Sequence, residues 1–144
     1  MVNNEIYEIY AIKYAHSERR TGDNFIGGDA HDGPMPLDYF VWAITNKKRT
    51  IILDTGFSLD TARIRGREYL RNPGVGLGMI GIEPSKIKNV IISHMHYDHS
   101  GNEKLFPNAI YHLQDSEMAF CTGRNMCHEA INHPFSEDDV VAMV

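Results

Sequence analysis

Within Ser93-His94-Met95-His96-Tyr97-Asp98-His99-Ser100-Gly101-Asn102, three imidazoles and a carboxylate fall in six positions, directly after the apolar run Val90-Ile91-Ile92. So many titratable groups at the end of a strand serve no packing purpose. Each imidazole loses hydration on burial, and several together repel if protonated. A divalent metal removes that conflict, because neutral imidazole and ionised carboxylate are its ordinary ligands. In an extended stretch, side chains two apart point the same way, so His94 and His96 are placed to pinch one ion. A turn must follow, which sends Asp98 and His99 toward a neighbouring second ion. A structural zinc site more often uses cysteine pairs. Here the two cysteines, Cys121 and Cys127, lie six apart and do not form a ligand pair. An accidental histidine cluster is the competing account, and four ligand-type residues in this order after an apolar strand weigh against it.

The elements around this segment must hold it in place. Ile6 to Tyr14 has the composition of a strand that is apolar and aromatic on both faces. Residues 17 to 37, rich in glycine and proline, predict a long loop of the kind that often binds ligands. Tyr39 to Ile44 and Thr50 to Leu53 predict a hairpin, broken after the second strand by Asp54-Thr55-Gly56. Ser58 can cap a helix that carries Leu59, Ala62, Gly66, Tyr69 and Leu70 on one face, stopped by Asn72-Pro73-Gly74. Residues 74 to 82 predict a short helix or turn, and Pro84 opens another brief helix. The strand Asn89 to Ile92 then delivers the histidine motif at its C-terminal end, where layered α/β proteins usually place their sites. A short strand, Ala109 to Leu113, follows, and then a helix that Asp115 caps and that runs through Phe120. Ser136-Glu137-Asp138-Asp139 starts a last helix, whose Val140, Val141, Met143 and Val144 form an apolar stripe without a C-terminal cap.

Composition bounds the function. The 144 residues suit one domain. A hydrophobic content of 42%, a charged content of 23% and a net charge of −5 fit a soluble globular protein and give no support for a nucleic-acid partner. The basic clusters at 18–20 and 47–49 are short and suit solvated loops. No stretch has the length of a membrane span, and Met-Val-Asn-Asn-Glu has neither part of a secretory signal. The expectation is a cytoplasmic protein with reduced cysteines and no membrane partner.

The His-x-His-x-Asp-His pattern, in the context Ile-Ile-Ser-His-Met-His-Tyr-Asp-His-Ser-Gly-Asn, resembles the metallo-β-lactamase superfamily, and most closely its N-acyl homoserine lactonase branch. The resemblance implies an α/β (α+β) fold, a four-layer αββα sandwich of two similar halves. This chain would supply the N-terminal half as a single incomplete domain over residues 1–144. It also implies that His94 and His96 bind one metal and Asp98 and His99 the other, with two zinc ions or other divalent transition metals per complete site. Asp54, in Leu-Asp-Thr-Gly, would accept hydrogen bonds beneath the metal loop, although a simple turn-forming role before glycine competes with this.

The activity so implied is hydrolysis of a small-molecule lactone or ester by hydroxide activated between two metals. Asp98 would pass a proton to the leaving alkoxide, and the role would be quorum quenching. Within the superfamily a glyoxalase-II-like thioesterase is the main alternative; a mononuclear iron dioxygenase and a ribonuclease are others. An inactive half-domain serving only for metal binding or association belongs to a different class. His31 and Asp32 lie in the loop that walls the family's substrate pocket and are weak substrate-binding candidates. His128 and His133 fit a covering insertion better than a ligand role, and His112 suits packing or the surface. Tyr7, Tyr10, Tyr14, Phe40 and Trp42 are read as core or interface aromatics, and Tyr97 is given no catalytic role. Two ligands per ion predict weak metal binding, and an uncovered sheet face predicts association, possible as a homodimer.

Overall fold

The computed structural model describes residues 5–144. Met1–Asn4, which carry most of the segment tested above for a secretory signal, lie outside them. A six-stranded sheet organises the chain, in the order β4-β1-β2-β3-β5-β6. The strands are β1 (Glu8–Ser17), β2 (Leu37–Thr45), β3 (Thr50–Leu53), β4 (Glu68–Tyr69), β5 (Asn89–Ile91) and β6 (Ile110–His112). β1, β2 and β3 are antiparallel, whereas β5 and β6 join β3 in parallel. The helices are α1 (Thr21–Asn24), α2 (Leu59–Ile64), α3 (Pro73–Met79), α4 (Tyr97–Ser100), α5 (Asp115–Cys121), α6 (Glu129–Asn132) and α7 (Glu137–Met143).

Register explains which side chains form the core. Ile12 pairs with Val41, and Ala43 with Ile52, which pairs in turn with Val90. Paired residues share a face, and all five are buried with Phe57, Ala62 and Leu77 from the covering segments. The opposite face carries Trp42, Leu53, Ile91 and His112 in one row and Ile44, Ile51, Asn89 and Ile110 in the next. There Ile110 is 67% exposed and Ile9 66%. This is the uncovered face expected of half a sandwich.

Several sequence expectations need correction. β1 is one-sided: Tyr14 is fully buried but Tyr10 lies exposed on its N-terminal half, and Trp42 points outward. α2 is capped by Ser58, whose Oγ accepts from Thr61 N, but it ends at Ile64. Gly66 then turns the chain with φ +63°, and Glu68–Tyr69 adds to the edge of β1 as β4. The Tyr69 and Leu70 spacing that suited a helix face therefore belongs to a strand. Asn72 does not stop a helix but starts α3, accepting from Gly74 N with Pro73 in the first turn. Asp115 is the first residue of α5, after Gln114. α7 is partly docked, since Val140 and Met143 pack on the core while Val141 and Val144 stay exposed.

Asp139 in α7 shows the cost of that docking. Its Oδ2 is buried without a hydrogen-bond partner among the described residues. Burial, with Glu103 and Asp138 nearby, pushes its carboxyl up from 3.8 to about 6. A raised carboxyl pKa means that the folded chain holds a proton which the unfolded chain has lost. Stability therefore falls as pH rises from 3.8 to about 6, and the penalty is complete above that. Discounted for partial solvation, it amounts to about 1–2 kcal/mol. Asp139→Asn should raise the melting temperature by roughly 3–6 °C at pH 7.5 and by much less at pH 4. An equal gain at both pH values would show that ionisation is not the cause.

Candidate metal centre

The histidine motif leaves the C-terminal end of β5 and closes at once into α4, so its four ligand-type side chains form a cluster. The His94 and His96 ring centroids are 4.5 Å apart, and those of His94 and His99 are 4.0 Å apart. His99 Nε2 stands 3.4 Å from Asp98 Oδ2. His94 and His96 lie side by side, and the turn brings Asp98 and His99 back beside them. Among the described residues, no group of three or more His, Cys, Asp or Glu is arranged to hold an ion by itself.

Asp54 lies beneath the cluster. It is buried and adopts φ +63°, a left-handed conformation that Asp tolerates better than most residues. This backbone turn aims the carboxylate at the metal loop. Oδ1 accepts from Ser93 N at 2.7 Å, and Oδ2 accepts from Ser93 Oγ at 2.9 Å. His99 Nδ1 donates to the same Oδ2 at 2.7 Å. With its hydroxyl proton on Asp54, Ser93 Oγ faces His94 Nδ1 at 3.1 Å as an acceptor. Both rings are thereby anchored through Nδ1, which leaves each Nε2 for a metal.

Backbone contacts fix the loop further. Thr55 N donates to His99 O at 2.7 Å, and Gly101 N to Gly56 O at 2.8 Å. The register between β1 and β2 shifts at Tyr14. That bulge aims the Tyr14 hydroxyl at Asp98 O, to which it donates at 2.9 Å.

The electrostatics suit metal binding. Burial, and then the charges of His99 and His96, holds the His94 imidazole below its usual value, and burial does the same for His96. Both therefore offer neutral lone pairs near pH 7. Burial pushes the Asp98 carboxyl up, but the His99 hydrogen bond and charge outweigh it and hold the group below the usual carboxylate range. His99 is pulled down by burial yet raised to about 9 by Asp54 and Asp98. Two neutral imidazoles, an ionised carboxylate and an imidazole that must release a proton before it coordinates form a donor set for divalent transition metals. The residues present fit such ions.

The remaining candidates lie elsewhere. Asp32 is engaged by Arg20, Thr21 and Gly22 and braces its own loop, and the His31 side chain is 96% exposed. His128 and His133 are exposed, and His112 faces Asn89 across the sheet edge. An open hollow of about 240 Å³ does adjoin the cluster, lined by Leu37, Asp38, Tyr39, Phe40, Trp42, Asp98 and His99. Phe40 and Trp42, read from sequence as packing aromatics, thus flank Asp98 and His99. Ser93 could have been singled out, since it precedes the motif directly. Tyr14 lies 84 residues from Asp98, and nothing local marks it.

The sequence profile of the Metallo-beta-lactamase superfamily matches residues 34–113. The N-acyl homoserine lactonase AttM of Azorhizobium caulinodans is 29% identical over 106 residues, covering 65% of this chain and 40% of that protein. Among solved structures, a quorum-quenching N-acyl homoserine lactone lactonase superposes with TM-score 0.66 at 15% identity, over 94% of this chain and 52% of its own. A probable metal-dependent hydrolase from Staphylococcus aureus gives TM-score 0.66 at 19% identity, over 83% and 51%. An N-acyl homoserine lactone hydrolase with N-hexanoyl-L-homoserine at its catalytic metal centre gives 0.65 at 15%, over 94% and 55%. The chain thus spans about two fifths of the curated relative and half of the solved neighbours.

Proposed function

Because this chain belongs to the metallo-beta-lactamase superfamily, we propose that it carries half the metal centre of a zinc-dependent hydrolase that opens N-acyl homoserine lactones. The observation that supports this best is the convergence of His94, His96 and His99 around Asp98 at the end of β5. His94 and His96 would hold one divalent ion, and Asp98 and His99 the second. Ions held there would supply a water of lowered pKa and a Lewis acid for a carbonyl oxygen. Asp98 presents an ionised carboxylate despite its burial. Its Oδ1, the oxygen not facing His99, receives the proton of the attacking water and returns it to the leaving ring oxygen. Asp54 and Ser93 keep His94 and His99 in one tautomer throughout. Phe40 and Trp42 offer an apolar wall for the acyl portion.

A cytoplasmic, quorum-quenching role follows from this substrate class. The exposed sheet face, with Ile9, Trp42, Ile91 and Ile110, is where two copies would pair. A glyoxalase-II-like thioesterase would use the same ligands, so substrate must decide. The chain, and a longer protein containing it, should be loaded with zinc and given N-acyl homoserine lactones beside an acyl thioester. Ring opening, followed by acid release, is expected to exceed thioester cleavage and to fall about 10³-fold in His94→Ala. Thioester cleavage without lactone opening would replace this reading by its alternative.

A further inference from the structure

His96 is positioned differently from the other imidazoles. His94 and His99 rest on Ser93 and Asp54, but no hydrogen bond from that pair reaches the His96 ring among the described residues. The N–H groups of its two neighbours, Met95 and Tyr97, are instead held by the chain's last third. Met95 N donates to Glu117 Oε1 at 2.8 Å, and Tyr97 N donates to Pro134 O at 2.8 Å. Phe135 forms a bridge with His96, and its ring stands edge-on to the imidazole at 4.8 Å and 90°. Arg65, at the end of α2, secures this strap. Its Nη1 donates to His133 O at 3.0 Å and its Nη2 to Phe135 O at 3.1 Å. Its guanidinium also lies 3.9 Å from the centre of the Tyr97 ring.

From this we infer that Glu117 and Arg65 are positioning residues for His96, and that residues 133–135 act as a strap that sets this one ligand. The inference rests on the metal-ligand reading of His96 above. The physical reason is geometric. A ligand ring is fixed by its own hydrogen bond or by its backbone, and His96 relies on its backbone. With Tyr97 N–H tied, the 96–97 peptide that sets His96 ψ is held; Glu117 holds the chain one residue before it, and Phe135 flanks the ring. Glu117 acts here as an acceptor for a backbone N–H, so Glu117→Gln should preserve the contact through its amide oxygen. Arg65 bridges two carbonyls two residues apart with its planar fork, which a lysine ammonium cannot span.

The test combines two readouts on the chain, with melting temperature measured for each variant. The first is the set of imidazole NMR signals of the metal-free protein. Glu117→Ala and Arg65→Lys should move the His96 ring signals more than those of His94 and His99, whose rings rest on Ser93 and Asp54, and Glu117→Gln should restore them. The second is titration with cobalt(II), where Glu117→Ala should weaken binding about 10- to 100-fold and Glu117→Gln should recover most of it. Both Gln and Lys variants keep the side-chain volume, so they remain informative if Glu117→Ala fails to fold. Equal movement of all three imidazoles, or none at His96, would overturn the inference, as would wild-type cobalt affinity in Glu117→Ala. The metal-free spectra are independent of substrate, so a protein that fails to open lactones yet shows the selective His96 shift refutes the functional reading alone.

Discussion

Asp54→Ala should be the most damaging single substitution at the metal centre, in both stability and metal affinity. The carboxylate accepts three hydrogen bonds in a nearly water-free position, from Ser93 N, Ser93 Oγ and His99 Nδ1. Removing it leaves those donors unpaired, at a cost of about 2–4 kcal/mol. It also releases the two rings whose Nδ1 atoms it anchors, one directly and one through Ser93, and a loss of about 10- to 100-fold in metal affinity should follow. The backbone provides an internal control. Asp54 holds φ +63°, where glycine is unstrained and alanine is not. Asp54→Gly should therefore be about 1 kcal/mol more stable than Asp54→Ala while binding metal no better. Thermal melting and cobalt(II) titration of the pair separate the two contributions. Metal affinity that survives in either variant would show that Asp54 supports only the turn.

Gly56→Ala should rival it in stability without touching any polar group. Gly56 sits at φ +71°, and a Cβ there would stand 2.7 Å from Tyr14 Cζ and 2.9 Å from Tyr14 Cε1. The Tyr14 ring has no room to retreat. It is fully buried, packs edge-on against Phe57 at 4.9 Å, and its hydroxyl is committed to Asp98 O. Left-handed strain and overpacking together cost about 2–4 kcal/mol, or roughly 6–15 °C in melting temperature. Because the clash pushes on the side chain that holds Asp98, metal affinity should fall with stability. Tyr14→Phe in the same background is the check. It removes the hydroxyl but not the ring, so it should leave the clash in place and the stability low. An unchanged melting point in Gly56→Ala would mean that the 54–57 turn is free to move away from β1.

Local signals carried the sequence a long way. Strand hydrophobicity and the Asn-Lys-Lys break located β2 and β3, Ser58 located the start of α2, and the apolar run before the histidines located β5. These depend on neighbours within a few residues, where periodicity and capping chemistry act. The error over 65–70 has the same origin. Tyr69 and Leu70 continue a helical spacing, but Gly66 turns left-handed and β1 offers free edge groups, so strand pairing prevails. Similarly, Trp42 could be read as aromatic but not as outward-facing, because register decides which face of the sheet is covered, whereas Tyr10 pairs with the buried Ala43 and is nevertheless exposed.

At the candidate metal centre, residue types and spacing alone determined that His94, His96, Asp98 and His99 lie together, since one strand end and one turn hold all four. Only the tertiary structure decided what orients them. Asp54, Tyr14, Glu117, Arg65 and Phe135 reach the loop from separations of 22 to 84 residues or across the β-bridge to 135. A ligand's identity is a property of its side chain. Its orientation is a property of the partners that satisfy its remaining ring nitrogen and its backbone, and those partners are chosen by the fold.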